Sequence, residues 1–202
     1  MKVGFIVECG PEGAEMEVIP HLALRLIPKL KFDIIALDDK RRLKPECGRW
    51  ARQLLDSKCD RVLIVWDLMP AWGEYEGRGC RRIDRQEIYE SLERAGLRRS
   101  DRRIKLICVH KMLEAWILAD ERALSSFLST DAHPVRAPRT KKPENVKDPK
   151  ARLKTLFKER GRRVHDYVDR LHAIQVVRRM PDLARLDQCP TFARFKVKLL
   201  GA

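Results

Sequence analysis

Arg61-Val62-Leu63-Ile64-Val65-Trp66-Asp67 is a short, unbroken apolar run that closes on an acid. A strand with one wet face alternates polar and apolar residues. A run without alternation, rich in Ile and Val, reads as a strand covered on both faces. The same form recurs in Lys2-Val3-Gly4-Phe5-Ile6-Val7-Glu8 and in residues 32–38, which end on Asp38. It recurs again in residues 103–110, which end on His110. Helical spacing fills the intervals. Residues 13–30 predict a helix that Pro20 should bend or split. Residues 46–58 set Trp50, Leu54 and Leu55 on one side, and residues 84–96 set Ile88, Leu92 and Ala95 on one side with Gly96 as C-cap. Strands alternating with helices predict an α/β fold, a parallel sheet of about four strands flanked by helices.

The pattern changes after Ala119. His133-Pro134, Ala137-Pro138, Lys142-Pro143 and Asp148-Pro149 exclude a helix or a central strand over residues 131–149, leaving a basic loop. Residues 150–160, 164–180 and 190–200 read as helices. In the middle one Val164, Tyr167, Val168, Leu171, Ile174, Val177 and Met180 form an apolar stripe that reads as core. The expected organisation is an α/β domain over residues 1–130. A basic proline-rich loop and C-terminal helices over 131–202 should pack on that same domain.

The chain has 202 residues, 44% of them hydrophobic and 36% charged, a globular composition with room for one domain and its own core. No apolar run reaches the roughly 20 residues that span a bilayer, so no membrane is expected. The start lacks a small-residue cleavage site and does not read as a secretory signal. Six scattered cysteines without a CxxC pair argue for free thiols in a cytoplasmic protein and against structural zinc. The net charge is +14 and lies toward the end of the chain: residues 131–202 hold 19 Lys or Arg against 8 Asp or Glu. Such a tail suits a polyanion; it equally serves as a solvated surface.

In an open parallel sheet, ligands bind beyond the carboxyl ends of the strands. Glu8, Asp38 and Asp67 end three runs, His110 ends the fourth, and Glu114 follows within about one helical turn. Carboxylates gathered at one edge stay ionised together only when a cation compensates, and Mg²⁺ prefers such oxygens. The competing reading is that each acid caps a helix or meets water.

Local strings sharpen the choice. Val7-Glu8-Cys9-Gly10-Pro11-Glu12 resembles the Val-Glu-Gly-x-Thr-Glu start of Toprim-like proteins, and the run ending in Asp67 resembles the strand before their Asp-x-Asp. His110-Lys111-Met112-Leu113-Glu114-Ala115-Trp116-Ile117-Leu118-Ala119-Asp120 resembles a segment of Toprim-like phage-defence proteins related to the overcoming-lysogenisation-defect nucleases. The piece from Gln188 to Phe195 resembles the closing motif of the Toprim-like domain-of-unknown-function family numbered 4276. The resemblance implies Mg²⁺ or Mn²⁺ as cofactor and catalytic, metal-binding roles for Glu8, Asp67 and Glu114. It implies that Glu12 and Asp120 support those ligands from behind. His110 would add a donor or proton carrier beside them. Arg139, Lys141, Lys142, Lys147 and Lys150 in and beside the proline-rich loop are candidates to neutralise phosphates, and Arg136, Arg162, Arg163, Arg178 and Arg179 extend that face.

Two positions depart from the Toprim pattern. Met69 stands where the second Asp belongs, and a thioether is a poor Mg²⁺ ligand. Cys9 stands where a glycine would turn tightly. Glu74, Glu76 and Asp84 are candidates to substitute for the missing acid. Cys9 is also the best thiol nucleophile by position, but an adjacent acid should raise its pKa. The glycines between Gly73 and Gly79 fit neither phosphate-binding fingerprint, and Trp72 and Tyr75 read as loop anchors before base-stacking groups. Trp116 reads as core.

The expectation is therefore a divalent-metal-dependent nucleic-acid phosphodiester nuclease, or a module derived from one, in prokaryotic defence, with DNA favoured over RNA and a partner ATPase allowed by the resemblance. The alternative is a non-catalytic nucleic-acid or protein-binding module with a degenerate metal site.

Overall fold

The computed structural model describes residues 1–69, 80–161 and 164–201. They fall into two compact units. The first comprises Met1–Val109 with Phe195–Ala202, and the second comprises His110–Arg194. The sequence placed the change near residue 130; the contacts divide the chain where the fourth strand ends.

The first unit is an α/β sheet unit. Its strands are β1 (Lys2–Val7), β2 (Lys31–Ala36), β3 (Arg61–Asp67) and β4 (Ile104–Val109), all parallel, in the order β2-β1-β3-β4. Helices α1 (Glu15–Leu26), α2 (Lys40–Asp56) and α3 (Arg81–Arg94) connect them. β1 and β3 hold the centre and are buried almost throughout, as their unbroken apolar runs predict. β2 corrects that expectation. It is an edge strand with only partial burial, and Phe32 is exposed.

One face of the sheet carries Ile6, Val62, Ile64, Trp66, Leu106 and Cys108 against Leu43, Cys47, Ala51 and Leu54 of α2 and Ile88 and Leu92 of α3. Two glycines set how closely these layers approach. A Cβ on Gly4 would lie 2.8 Å from a methyl of Leu54, so its absence seats α2 on β1. A Cβ on Gly48 would fall inside the Ser91 carbonyl, so α2 and α3 touch backbone to backbone there. The Gly48 N–H donates to Ser91 Oγ (3.0 Å), whose hydroxyl donates to the Pro45 carbonyl (2.7 Å).

Helix α2 starts six residues before the predicted one. Asp39 caps the helix by accepting from the Arg42 N–H (2.9 Å), and Pro45 sits inside the helix. Pro20 likewise lies within an unbroken α1. Gly96, at φ +73°, closes α3 as expected.

The second unit contains α4 (Glu114–Leu118), α5 (Glu121–Leu128), α6 (Pro149–Arg160) and α7 (Asp169–Val177), and it includes the start of α8 (Pro190–Leu200). The stretch 131–148 is irregular apart from one tight turn at Pro143–Asn145, as its prolines require. Helix α7 is shorter than the predicted 164–180. Val168 is extended, its N–H donates to Nδ1 of His172 (2.9 Å), and the helix begins only after it. Leu171, placed in the apolar stripe, is exposed, whereas Tyr167, Ile174, Val177 and Met180 are buried. Phe157 meets Tyr167 edge-on at 5.2 Å, and His172 lies beside Phe127, Phe157 and Tyr167.

Two outcomes test this packing. Gly48→Ala should lower the free energy of unfolding by about 1–3 kcal/mol, the usual cost of overpacking, read as a lower urea midpoint at unchanged slope. His172 is held below its ordinary pKa of 6.5 by burial, and its Nδ1 accepts a backbone proton only while neutral. The stability it supplies is present above about 6.5 and is lost as pH falls through the depressed value. Denaturation series between neutral and mildly acid pH should therefore show a decline that His172→Phe flattens.

Candidate functional site

The strand order fixes where a ligand can enter the sheet unit. From β1 the chain crosses to β2 on one side, then returns past β1 to β3 on the other, so the order reverses between β1 and β3. Crevices open beyond the carboxyl ends of strands at such a reversal. Glu8 and Asp67 stand at that place. Register sets Val7 opposite Val65. The Glu8 N–H then donates to the Val65 carbonyl (3.2 Å), and Oε2 of Glu8 accepts from the Asp67 N–H (3.0 Å). Two acids 59 residues apart in sequence are thus brought onto one short piece of backbone.

The exit of β3 is held from a second side. The Leu68 carbonyl accepts from the Lys40 amine (2.9 Å), and the Leu68 N–H donates to the Val109 carbonyl (3.0 Å). Lys40 is buried beside Asp84 (3.8 Å), and Lys44 lies beside Asp84 (3.9 Å) and Glu87 (2.8 Å). Asp84 also accepts from the Trp66 indole N–H (3.1 Å). Asp84 therefore belongs to a buried ionic cluster between α2, α3 and β3 and is not placed as a substitute metal ligand. The cluster was missed in the sequence. Its trace is the pair of lysines, 40 and 44, lying in the same helical stripe as Leu43, Cys47, Ala51 and Leu54.

The turn after β1 explains Cys9. Its side chain packs where a Cβ on Gly13 would lie, so the glycine missing at position 9 is supplied at position 13. Burial is the chief reason the Cys9 thiol is pushed well above the ordinary range, followed by Glu15 in the first turn of α1 and then by Asp67. The acid beside the thiol is Glu15, six residues further along the chain, and Cys9 stays protonated. Asp38 pairs with Arg42, at a left-handed φ of 48°. Glu12 is exposed in the turn.

Among the described residues, no group of three or more His, Cys, Asp or Glu side chains is arranged to hold a metal ion. Glu8 and Asp67 offer two carboxylates. Mg²⁺ is commonly bound by one or two carboxylates with water and substrate phosphate completing the shell, and the pair fits that mode. Glu74, Glu76, the 73–79 glycines, Trp72, Tyr75, Arg162 and Arg163 lie outside the described residues.

In the second unit, Glu114 is buried at the start of α4. Asp120 is fully buried and caps α5, accepting from the Arg122 and Ala123 N–H groups and from the Arg122 guanidinium, which also binds Asp182. The Nδ1–H of His110 donates to the Glu144 carbonyl (3.0 Å), which fixes its tautomer. Glu144, read only as part of a basic loop, is buried; it accepts from the N–H of Thr191 (2.9 Å) and from its hydroxyl. The Trp116 indole N–H donates to that same hydroxyl (2.9 Å), and its ring meets Phe192 edge-on at 5.3 Å. Gln188 donates to the Ala119 carbonyl (2.7 Å). The closing motif thus clamps the Glu114–Asp120 segment and the proline-rich loop together. Arg139, Lys141, Lys142 and Lys147 are exposed, and Lys150 is ion-paired with Asp169 (2.5 Å).

The sequence profile of a domain of unknown function, DUF4276, matches residues 16–200. The chain belongs to the DUF4276 family. The match covers Asp67, Glu114 and the whole Thr191 clamp of this DUF4276 protein; Glu8 and Cys9 precede it. No curated protein and no solved structure matches the chain.

Removing the clamp hydroxyl leaves a buried carboxylate and a buried indole N–H each short of a partner. Thr191→Val should cost about 1–3 kcal/mol, while Thr191→Ser should retain most of the stability; urea denaturation of both variants checks this.

Proposed function

We propose that this DUF4276 protein is a Toprim-like, divalent-metal-dependent nucleic-acid phosphodiester nuclease acting in prokaryotic defence against foreign DNA. The observation that supports it is the meeting of Glu8 and Asp67 at the reversal of strand order. Bound there, Mg²⁺ or Mn²⁺ would polarise a phosphoryl oxygen and lower the pKa of a coordinated water. The chain's own part is positional. The Asp67 N–H orients the Glu8 carboxylate, and Lys40 fixes the carbonyl one residue past Asp67. Glu114 takes its catalytic and metal-binding role, and a partner ATPase enters, by resemblance alone. Exposed Lys141, Lys142 and Lys147 offer sequence-independent charge to phosphates.

One observation favours a second reading, a binding module without catalysis: Met69 occupies the place of the second Asp. The two readings part in one experiment. Plasmid DNA and RNA are incubated with the protein and Mg²⁺ or Mn²⁺, and retention is measured across a salt series. The nuclease reading expects metal-dependent cleavage that falls by about 100-fold or more in Glu8→Gln and in Asp67→Asn. Salt-sensitive retention without cleavage selects the binding module, and Lys141→Ala with Lys142→Ala should then weaken it alike on all sequences. Neither cleavage nor retention sinks both.

A further inference from the structure

The N-terminal half of α3 and the residue Arg99 line a groove of about 420 Å³ within the sheet unit. Its walls are Arg81, Arg82, Arg85, Gln86, Tyr89 and Arg99. We propose that this groove binds a phosphate monoester or a pyrophosphate group. The proposal stands apart from the nuclease reading, because none of these residues belongs to the Glu8–Asp67 site.

Charge carries the argument. Four guanidiniums face one cavity, and among the described residues its walls include no carboxylate. Of these four, Arg99 alone is tied to an acid among the described residues, Glu93, with a shortest approach of 2.6 Å; it also donates to Gln86 (3.3 Å). Arg85 is steadied by donating to the Tyr89 hydroxyl (3.1 Å). Arg82 is exposed and has no hydrogen bond or ion pair among the described residues. Arg81 lies against the Cys108 thiol, and its Nε is buried without a hydrogen-bond partner among the described residues. A monoanion would leave most of that charge uncompensated. A phosphate monoester dianion or a pyrophosphate answers it, and its oxygens suit the planar fork of arginine.

Chemistry also narrows the source of that phosphate. Arg85 and Arg99 lie 5.7 and 5.3 Å from the centroid of the Tyr89 ring. The ring serves those cations and is not a platform for stacking a base. The lining otherwise offers guanidiniums and one amide, so the ligand is recognised through its terminal phosphate. That phosphate comes from a free nucleotide or from the end of a strand, and the cavity is of nucleotide size.

Calorimetry on the full chain at low salt tests the groove with four probes: inorganic pyrophosphate, AMP, and one short oligonucleotide with and without a terminal phosphate. Pyrophosphate is expected to bind, and Arg82→Glu with Arg85→Glu to weaken it by about tenfold or more as charge-assisted contacts are lost. Lys154→Glu with Lys158→Glu, on α6 in the other unit, should leave it unchanged. Both double variants change exposed side chains, and circular dichroism verifies their folding. If the phosphorylated strand outbinds both AMP and its unphosphorylated twin, the source is a strand end. If AMP competes as well as the phosphorylated strand, the source is a free nucleotide. Pyrophosphate that fails to bind, or binds equally to the Arg82/Arg85 variant, overturns the proposal.

Discussion

The hydrogen bond from the Asp67 N–H to the Glu8 carboxylate joins the two central strands at the point where the fold can receive a ligand. A bond to an ionised acceptor is stronger than one between neutral groups, and here it can form only in one register. The register that puts Val7 opposite Val65 also turns Ile6, Ile64 and Trp66 toward α2 and α3. A slip of one residue would turn those side chains to the opposite face and carry Glu8 away from Asp67. Core and candidate site are therefore two consequences of one pairing. The packing that buries the sheet is also what holds the Glu8 carboxylate on the backbone of Asp67.

How much of this could be read in the sequence follows from how local each signal is. β1 and β3 were visible because a strand in the middle of a parallel sheet has no wet face to interrupt its apolar run. β2 and β4 carry similar runs at the two edges, β4 with its carboxyl half buried and β2 only partly covered, and no local pattern distinguishes an edge from a centre. The strand-end acids were visible; the order β2-β1-β3-β4, which puts Glu8 and Asp67 side by side and leaves Asp38 to Arg42, was not. The long apolar stripe after Val164 misled because spacing alone cannot show that His172 accepts the Val168 N–H and delays the helix. Glu144 was hidden for a similar reason. Set among lysines and prolines it looks like a solvated acid, and only the folded chain brings Thr191, 47 residues away, onto its carboxylate.

The motif strings divide accordingly into two physical kinds. In the segment from Glu114 to Asp120, Trp116 and Asp120 hold the second unit together, one through Thr191 and Phe192, the other as the cap of α5. A recurring string of this kind need not be catalytic to be specific, since a buried indole N–H and a buried carboxylate each demand one partner at one distance. Glu8 and Asp67 are of the other kind. They lie at partly buried positions at the carboxyl ends of the two central strands, where the sheet core does not require a carboxylate.

The ionic cluster of Lys40, Lys44, Asp84 and Glu87 bears on the same distinction. Burying charges is costly, and apolar residues of similar volume often stabilise a core as well or better. Stability is thus a weak reason for two lysines within the apolar stripe of α2. Geometry is a stronger one. Lys40 reaches past Asp84 to the Leu68 carbonyl, while Asp84 holds the indole of Trp66, the residue before Asp67. The residues on either side of Asp67 are therefore fixed by charged hydrogen bonds from two helices. A leucine in place of Lys40 would fill the space but would leave that carbonyl without its donor, and the stretch that carries the Asp67 backbone N–H, on which Glu8 depends, would lose one of its restraints.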